Sequence, residues 1–314
     1  MIWPVNPTAL VANRMTRSPM GENPWQTREE DLWSIREHEK RSRFVINYAV
    51  LAPSSLNTQP WLFSVDQDRI EMFADRRRGL AVADPDDRQL TISCGAALHY
   101  LTLAMRRFGR KPVVHTFPDL SRPDLLAVIR WGGVEKPSPG VLREFEAIKY
   151  RRGEYAQLAP TEISEAAIAK IVNGFDGSGT RLNLLADRDD RRALAEIVHA
   201  AASEQAADGR FRREQASWTH PDRRRSRDGL PNAQSIRKSG VNGLPSLTDF
   251  VSDVVNSGPV VFMLASRNDS HASWLETGQA MARLLLLVAG VGLSGQFMNE
   301  PLEIPRLRER VEGM

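Results

Sequence analysis

Two long apolar segments that share one spacing of small residues constrain the fold of this chain most strongly. The first, DPDDRQLTISCGAALHYLTLAMRRFG, begins with Asp and Pro and ends with basic residues and Gly, which is typical of a capped helix. Five residues recur 183 positions later: Gly95, Ala97, Leu101, Leu103 and Gly109 match Gly278, Ala280, Leu284, Leu286 and Gly292. This predicts two related halves, although two unrelated core helices would give the same pattern.

Composition limits the classes of protein to consider. A length of 314 residues allows one large domain or two ordinary ones, and the hydrophobic content of 41% is that of a globular protein. A single Cys excludes a disulfide framework. The apolar stretch at 259–266 is too short to span a bilayer, that at 281–293 carries Arg283, and the first residues lack a secretory pattern. We therefore expect a cytoplasmic protein that does not bind membranes.

The order of predicted elements gives an α+β chain with two halves. Residues 1–28 predict an extended arm, 29–140 a first half and 141–314 a second half, with GGVEKPSPG (132–140) as the best linker. The first half reads as a helix at about 29–51, strands at WLFSV and RIEMFAD, the capped helix, and strands at PVVHTF and LLAVIRW. The second half predicts helices at 161–173 and 188–207, strands at RLNLLA and VVFMLA, and the second buried helix.

An insertion at about 208–250 is polar, rich in Arg and rich in turn residues. A loop of this length in a compact domain is usually a lid, a partner-binding segment or disordered. DRRRSRD, with Phe211, Trp218 and His220 nearby, raises the possibility of nucleic-acid binding. Acidic residues flank this local cluster and no nucleic-acid motif accompanies it, so a solvated loop explains it better and no nucleic-acid partner is expected.

Several catalytic chemistries find no support in the sequence. The six His are scattered without the spacing of a metal site, so no metal ligand is predicted. Cys94 lies beside Gly95 and Ala96 in a predicted helix, which indicates a packing role rather than a nucleophilic one. Neither a Walker A loop nor a GxGxxG motif is present.

The segment VLAPSSLNTQPWLF (50–63) concentrates small hydrogen-bonding side chains between a predicted helix and a predicted strand. Ser54, Ser55 and Asn57 offer hydroxyl and amide groups on irregular backbone between two Pro. Such groups suit a planar heteroaromatic ligand with alternating donors and acceptors. An elaborate turn, in which Ser and Asn bond their own backbone, accounts for the same residues equally well.

NYAVLAPSSLNTQPWLFSV closely resembles the flavin-binding segment of the FMN-dependent nitroreductase superfamily, A-x-x-A-P-S-x-x-N-x-Q-P-W. Together with ADRRR, DPDDRQLTISCGAALHYL and YRR, it resembles the Acg-type nitroreductase-like branch in particular. The likeness covers most of the chain from about residue 30 onward and is weaker in the second half. It implies a nitroreductase-like fold in which two degenerate halves form an intrachain pseudo-dimer around one FMN, with antiparallel or mixed sheets flanked by helices.

The resemblance also implies the residues of the site. Those expected to bind the cofactor are Pro53, Ser54, Ser55, Asn57, Gln59, Arg151, Arg152, Met298 and Asn299. The first five would line the isoalloxazine, and the two Arg would hold the phosphate, for which a guanidinium is well suited. Met298 and Asn299 align with the family's loop near flavin N5. This sequence departs from the family at two places: Tyr155 or Ala156 stands where the family has a further phosphate-binding Arg, and the sequence stops at RERVEGM where relatives continue into a strand with basic residues.

The function implied is an FMN-dependent NAD(P)H oxidoreductase that reduces a small-molecule electron acceptor, such as a nitroaromatic or quinone, by ping-pong hydride transfer through flavin N5. No catalytic acid or base from the protein is required. A second hypothesis is an FMN storage or sequestering protein whose lid, from 208–250, leaves little or no reductase activity. Both hypotheses allow a monomer (the pseudo-dimer) or a homodimer.

Overall fold

A computed structural model describes residues 24–66, 69–151, 163–177, 179–220, 228–231 and 260–314. Its helices are α1 (Asp31–Ser34), α2 (His38–Ala49), α3 (Arg88–Arg107), α4 (Pro139–Ala147), α5 (Glu165–Gly174), α6 (Arg188–Ala207), α7 (Gly209–Ser217), α8 (His271–Gly290) and α9 (Pro305–Glu312). The strands are β1 (Trp61–Asp66), β2 (Arg69–Ala74), β3 (Arg110–Thr116), β4 (Leu125–Val134), β5 (Thr180–Leu184), β6 (Thr219–His220), β7 (Leu230–Pro231) and β8 (Phe262–Ser266). Most of the predicted arm, Arg152 and much of the 208–250 insertion lie outside these residues.

The strands form antiparallel sheets and one short parallel pair. A four-stranded sheet has the order β1-β2-β4-β3, with every neighbouring pair antiparallel. Strands β5 and β8 form a second antiparallel sheet, and the two-residue strands β6 and β7 pair in parallel. Helices pack against strands of the two larger sheets, which confirms the α+β class predicted from the sequence.

The central feature of the fold is the packing of α3 against α8. These are the two helices of the predicted repeat, and their boundaries are also separated by 183 residues. Gly95 and Gly278 lie at their contact, where a Cβ atom on either one would lie 2.9 Å from the Cα of the other and would collide with backbone of the facing helix. Glycine therefore allows these two backbones to approach closely.

Apolar side chains of α3 and α8 belong to one large core. This core also contains residues of α2, α4 and the four-stranded sheet, including Phe44, Trp61, Ile129 and Phe145, which are almost completely buried. A smaller cluster joins α6 to the chain around Val261. Among the described residues, no helix has the length and apolarity needed to cross a membrane.

Two local expectations differ from the structure. The helix predicted at 29–51 is divided into α1 and α2, because Ile35 is extended and its carbonyl accepts a 2.7 Å hydrogen bond from Arg41 Nε. The predicted linker at 132–140 is shorter, since β4 continues through Val134 and α4 begins at Pro139. Gly132 lies beside the bulge in the β3–β4 pairing, where a Cβ atom would collide with the carbonyl of Lys111.

Candidate functional site

The loop between α2 and β1 has an unusual backbone conformation. Leu56, Asn57 and Gln59 all have positive φ angles of 46°, 54° and 51°, which are uncommon for residues other than Gly. The Oγ atom of Ser54 accepts a 2.9 Å bond from the backbone N–H of Gln59 and closes the loop, while Pro53 is half-buried at its start. Such strained backbone persists only where its surroundings hold it, and it is concentrated at functional sites.

Ser55 connects this loop to the second half of the chain through a line of polar side chains. Its hydroxyl donates to Gln89 Oε1 at 2.6 Å, and Gln89 Nε2 donates to Glu303 Oε1 at 2.9 Å. The other carboxylate oxygen of Glu303 accepts from Gln205 Nε2 at 2.6 Å. The line therefore joins the loop to α3, to the short 3₁₀ turn Glu300–Glu303 and to α6.

The Glu303 carboxyl lies in an environment that disfavours its charge. Burial is the main cause that raises its pKa, to about 7, and the negative charge of Glu300 acts in the same direction. Burial also raises the pKa of Glu300, and within the described ranges its Oε2 atom has no hydrogen-bond partner. Two carboxyl groups thus lie buried beside the segment predicted to approach a flavin.

Asn57 contacts a described part of the predicted lid. Its backbone carbonyl accepts from the N–H of Gly229 at 3.1 Å, and its Nδ2 donates to the carbonyl of Gly229 at 3.2 Å. Arg78 lies beside this pair, where its Nη1 donates to the carbonyl of Thr58 at 2.6 Å and to Asp228 Oδ2 at 2.9 Å. Residues 228–229 are therefore held against the 53–59 loop.

A second set of contacts joins the predicted lid to the chain before α3. The Glu214 carboxylate on α7 accepts from the backbone N–H groups of Val82 and Ala83, each at 2.9 Å. The Arg78 guanidinium lies 5.7 Å from the centroid of the Trp218 ring, in the range of a cation–π contact. A cavity of about 390 Å³ lies beside these contacts, and its lining includes Arg77, Gly79, Glu214, Trp218, His220 and Asp228.

Arg151, a predicted phosphate ligand, lies at the beginning of the same loop. Its Nη2 atom donates to the carbonyl of Leu51 at 3.2 Å, and among the described residues its buried Nε has no partner. The pKa of the Tyr100 phenol is raised to about 12, mainly by burial, and the positive charge of Arg151 acts against this rise. Arg152 lies outside the described residues.

Met298 and Asn299 lie directly before the 3₁₀ turn whose Glu303 belongs to the polar line. The Met298 side chain packs on the cluster formed by α6 and Val261. Asn299 precedes the 3₁₀ turn and its carbonyl accepts from Leu302 N–H at 2.8 Å. The turn that follows carries Glu303, so this segment is connected to Ser55 through Gln89 rather than through Met298 or Asn299 themselves.

Sequence reasoning missed three members of the polar line: Gln89, Gln205 and Glu303. Gln89 lies within the DPDDRQL stretch that carries the resemblance, but none of the three belongs to a spacing pattern that predicts a contact. The described residues contain no cluster of three or more His, Cys, Asp or Glu able to hold a metal ion. Cys94 is fully buried, and its Sγ donates to the carbonyl of Pro60 at 3.2 Å.

Comparison with known proteins gives the family. No family model matches the chain. A Mycobacterium tuberculosis protein named "Putative NAD(P)H nitroreductase Rv3131" is 30% identical over 86% of this chain and 79% of its own length. From the same organism, "Putative NAD(P)H nitroreductase acg" is 24% identical over 86% of this chain and 83% of its own, and "Uncharacterized protein Rv3127" is 23% identical over 85% and 80%. The chain belongs to the Acg-type family of nitroreductase-like proteins.

Proposed function

We propose that this protein binds FMN against the 53–59 loop and uses it as an NAD(P)H-dependent oxidoreductase that reduces nitroaromatics or quinones. Membership of the nitroreductase-like family supports an oxidoreductase that acts on small molecules. The observation that carries the proposal is the connection of the motif loop, through Ser55 and Gln89, to Glu303, which follows Met298 and Asn299 closely. Ser55 of the motif loop is thus linked to the turn that directly follows Met298 and Asn299.

We also propose that the chain is a fused pseudo-dimer. A Cβ atom at Gly95 would collide with the carbonyl of Leu275, and one at Gly278 would collide with the carbonyl of Ile92. Ile92 and Leu275 are themselves 183 positions apart, so each helix makes the same contact with the other. Reciprocal contacts of this kind are the signature of a two-fold interface in a homodimer. They support two halves related by an internal two-fold axis.

The residues present fit a flavin mononucleotide. The loop supplies a hydroxyl at Ser55, an amide at Asn57 and strained backbone, which suit the alternating polar edge of an isoalloxazine. Arg151 supplies a half-buried guanidinium whose buried Nε has no partner within the described part of the chain, which suits an anionic tail. Arg152 and Gln59 remain candidates on the resemblance alone, and Ser54 acts in closing the loop.

When bound, FMN would supply the hydride chemistry, since it accepts a hydride from NAD(P)H and passes electrons to the acceptor. The chain's own contribution is to bind and orient. Ser55 and Asn57 would orient the ring edge, and Arg151 would hold the phosphate. The carboxyl of half-buried Glu303, whose pKa is raised to about 7 mainly by burial, would hold a proton two hydrogen bonds away from Ser55.

Turnover of NAD(P)H tests the oxidoreductase proposal. Purified protein loaded with FMN should oxidise NADPH or NADH in the presence of a nitroaromatic or quinone, and the rate should saturate with both substrates in a ping-pong pattern. A matched sample of free FMN at the same concentration gives the background rate. Bound FMN with no turnover above that background would contradict the oxidoreductase proposal.

A second candidate function is the storage of FMN, and the contacts of the predicted lid favour it. Gly229 forms two hydrogen bonds with Asn57, and Asp228 and Glu214 attach neighbouring parts of the same segment to Arg78 and to the backbone before α3. A segment held over the ring would block stacking of a nicotinamide. Activity that appears only after deletion of residues 208–250 would support storage. Rapid NADPH oxidation by the intact protein would exclude it.

A further inference from the structure

The four side chains between the loop and α6 form a directional hydrogen-bond line. Glu303 accepts from Gln89 Nε2 on one carboxylate oxygen and from Gln205 Nε2 on the other. Gln89 Oε1 accepts from the hydroxyl of Ser55. Gln89 and Gln205 are each less than a tenth exposed, so water does not readily replace these partners.

The direction of each bond follows from the chemistry of the carboxylate. An ionised carboxylate has no proton to donate, so both glutamine amides must turn their NH₂ groups towards Glu303. Gln89 must then turn its carbonyl oxygen towards Ser55. The Ser55 hydroxyl has one proton and donates it to that oxygen, so only lone pairs remain to face a ligand.

The neighbours of Ser55 keep the loop in place without using its hydroxyl. The backbone N–H of Ser55 donates to Ser93 Oγ at 3.3 Å, and the Ser93 hydroxyl in turn donates to the backbone carbonyl of Gln89 at 2.7 Å. These contacts hold the backbone of Ser55, and the hydrogen-bond polarity of its hydroxyl depends on Gln89.

We propose that Glu303 is a positioning residue that acts through Gln89 to set the hydrogen-bond polarity of Ser55, so that Ser55 accepts a hydrogen bond from an N–H or O–H group of the bound ligand. The proposal rests on the proposed function, since it takes FMN as that ligand. It assigns a role to Glu303, Gln89 and Gln205, which the motifs do not identify.

The same geometry makes the polarity reversible near neutral pH. The pKa of Glu303 is raised to about 7, mainly by burial. Glu300 on its own turn and Asp84 before α3 act in the same direction, while the bonds from Gln89 and Gln205 oppose them. Arg306, on the helix α9 that follows the turn, is exposed and its positive charge is paired with Glu204 of α6. A protonated Glu303 carries an O–H donor, which favours the carbonyl of Gln89 as partner. Gln89 then presents its NH₂ group to Ser55, and the Ser55 proton becomes available to the ligand.

Binding of FMN as a function of pH tests the line. The dissociation constant is measured by quenching of flavin fluorescence between pH 5.5 and 8.5 in wild type, Glu303→Gln, Ser55→Ala and the control Glu309→Gln, whose side chain is exposed on α9. We expect wild type and the control to bind about tenfold more tightly at pH 8.5 than Glu303→Gln or Ser55→Ala do, and to lose this advantage at pH 5.5. The comparison between variants removes the effect of the FMN phosphate, which titrates in the same range.

Titration of Glu303 itself gives a readout without flavin. Carboxyl ¹³C NMR of the flavin-free protein, as the difference between wild type and Glu303→Gln, should give a midpoint near 7. A midpoint near the usual value of about 4.3 would overturn the reversal of polarity near neutral pH. FMN binding with the same pH profile in wild type and Glu303→Gln would overturn the positioning role of Glu303 and leave the proposed function intact. Absence of FMN binding at every pH would overturn both.

Discussion

Gly95 of α3 and Gly278 of α8 lie against each other, and a Cβ atom at either position would lie 2.9 Å from the Cα of the other. The two residues are 183 positions apart, as are the helices that carry them. At this pair the backbones of α3 and α8 lie too close together to admit a side chain, which gives the first prediction.

Replacement of either glycine by alanine should destabilise the fold to a similar degree. The new methyl group would collide with backbone of the facing helix, so the helices must separate, at a cost of about 1–3 kcal/mol in the free energy of unfolding. Urea denaturation followed by circular dichroism measures this. Gly290→Ala is the control, because no described atom lies within 4 Å of a Cβ at this position at the end of α8, and it should be neutral or slightly stabilising. Equal stability of Gly95→Ala and Gly290→Ala would contradict the close approach.

Replacement of Arg151 by alanine should weaken FMN binding. Loss of one charge-assisted phosphate bond is worth about 1.5–3 kcal/mol, which corresponds to a dissociation constant roughly ten- to a hundredfold larger. Fluorescence titration with FMN measures this loss, and titration with riboflavin, which lacks the phosphate, should show little difference between variant and parent. Arg143→Ala, exposed on α4, is the control. An Arg151→Ala protein as yellow as the parent would show that the phosphate is held elsewhere.

The Glu214→Gln variant should release FMN faster than the wild type. The carboxylate accepts from the N–H groups of Val82 and Ala83, and an amide has one acceptor oxygen and no charge to offer them. We expect release to be about tenfold faster, measured by the recovery of flavin fluorescence after dilution. Glu196→Gln, exposed on α6, should leave the rate unchanged. Identical release from all three proteins would show that these contacts do not retain the flavin.

Cys94 should be inert in the folded protein. It is fully buried, its Sγ donates to the carbonyl of Pro60, and burial raises the pKa of its thiol. A disulfide reagent that releases a coloured thiol should report no reaction at pH 8 and one equivalent after unfolding in guanidinium. Rapid reaction of the native protein would contradict the packing role.

The parts of the fold with long apolar periodicity could be predicted from the sequence, as α3, α6 and α8 demonstrate. Local interruptions of helices and strands could not be predicted in this way. The helix at 29–51 is interrupted because the Arg41 side chain captures the Ile35 carbonyl, a contact that no propensity encodes. Gly132 belongs to a stretch with the composition of a linker, but it lies in β4, where the bulge brings the Lys111 carbonyl close. Helix α7 within the insertion begins at an Asp208 cap and has no completely buried face that would give it a periodic signal.

The candidate site shows the same division. The loop residues Ser55 and Asn57 stand out because a long motif surrounds them. The other members of the polar line, Gln89, Gln205 and Glu303, come from distant parts of the chain. The packing of α3, α6 and the 3₁₀ turn brings them together, and no sequence pattern around any one of them predicts these contacts. Their proposed role follows from their burial and from the direction of their hydrogen bonds, which only the folded structure gives.

The visible spectrum of the purified protein tests the central claim most directly. If two related halves hold one flavin mononucleotide, the preparation should be yellow, or become so on incubation with FMN, and the chromophore released by denaturation should be FMN in a ratio near one per chain. A preparation that is colourless and stays colourless after incubation with FMN would contradict the account.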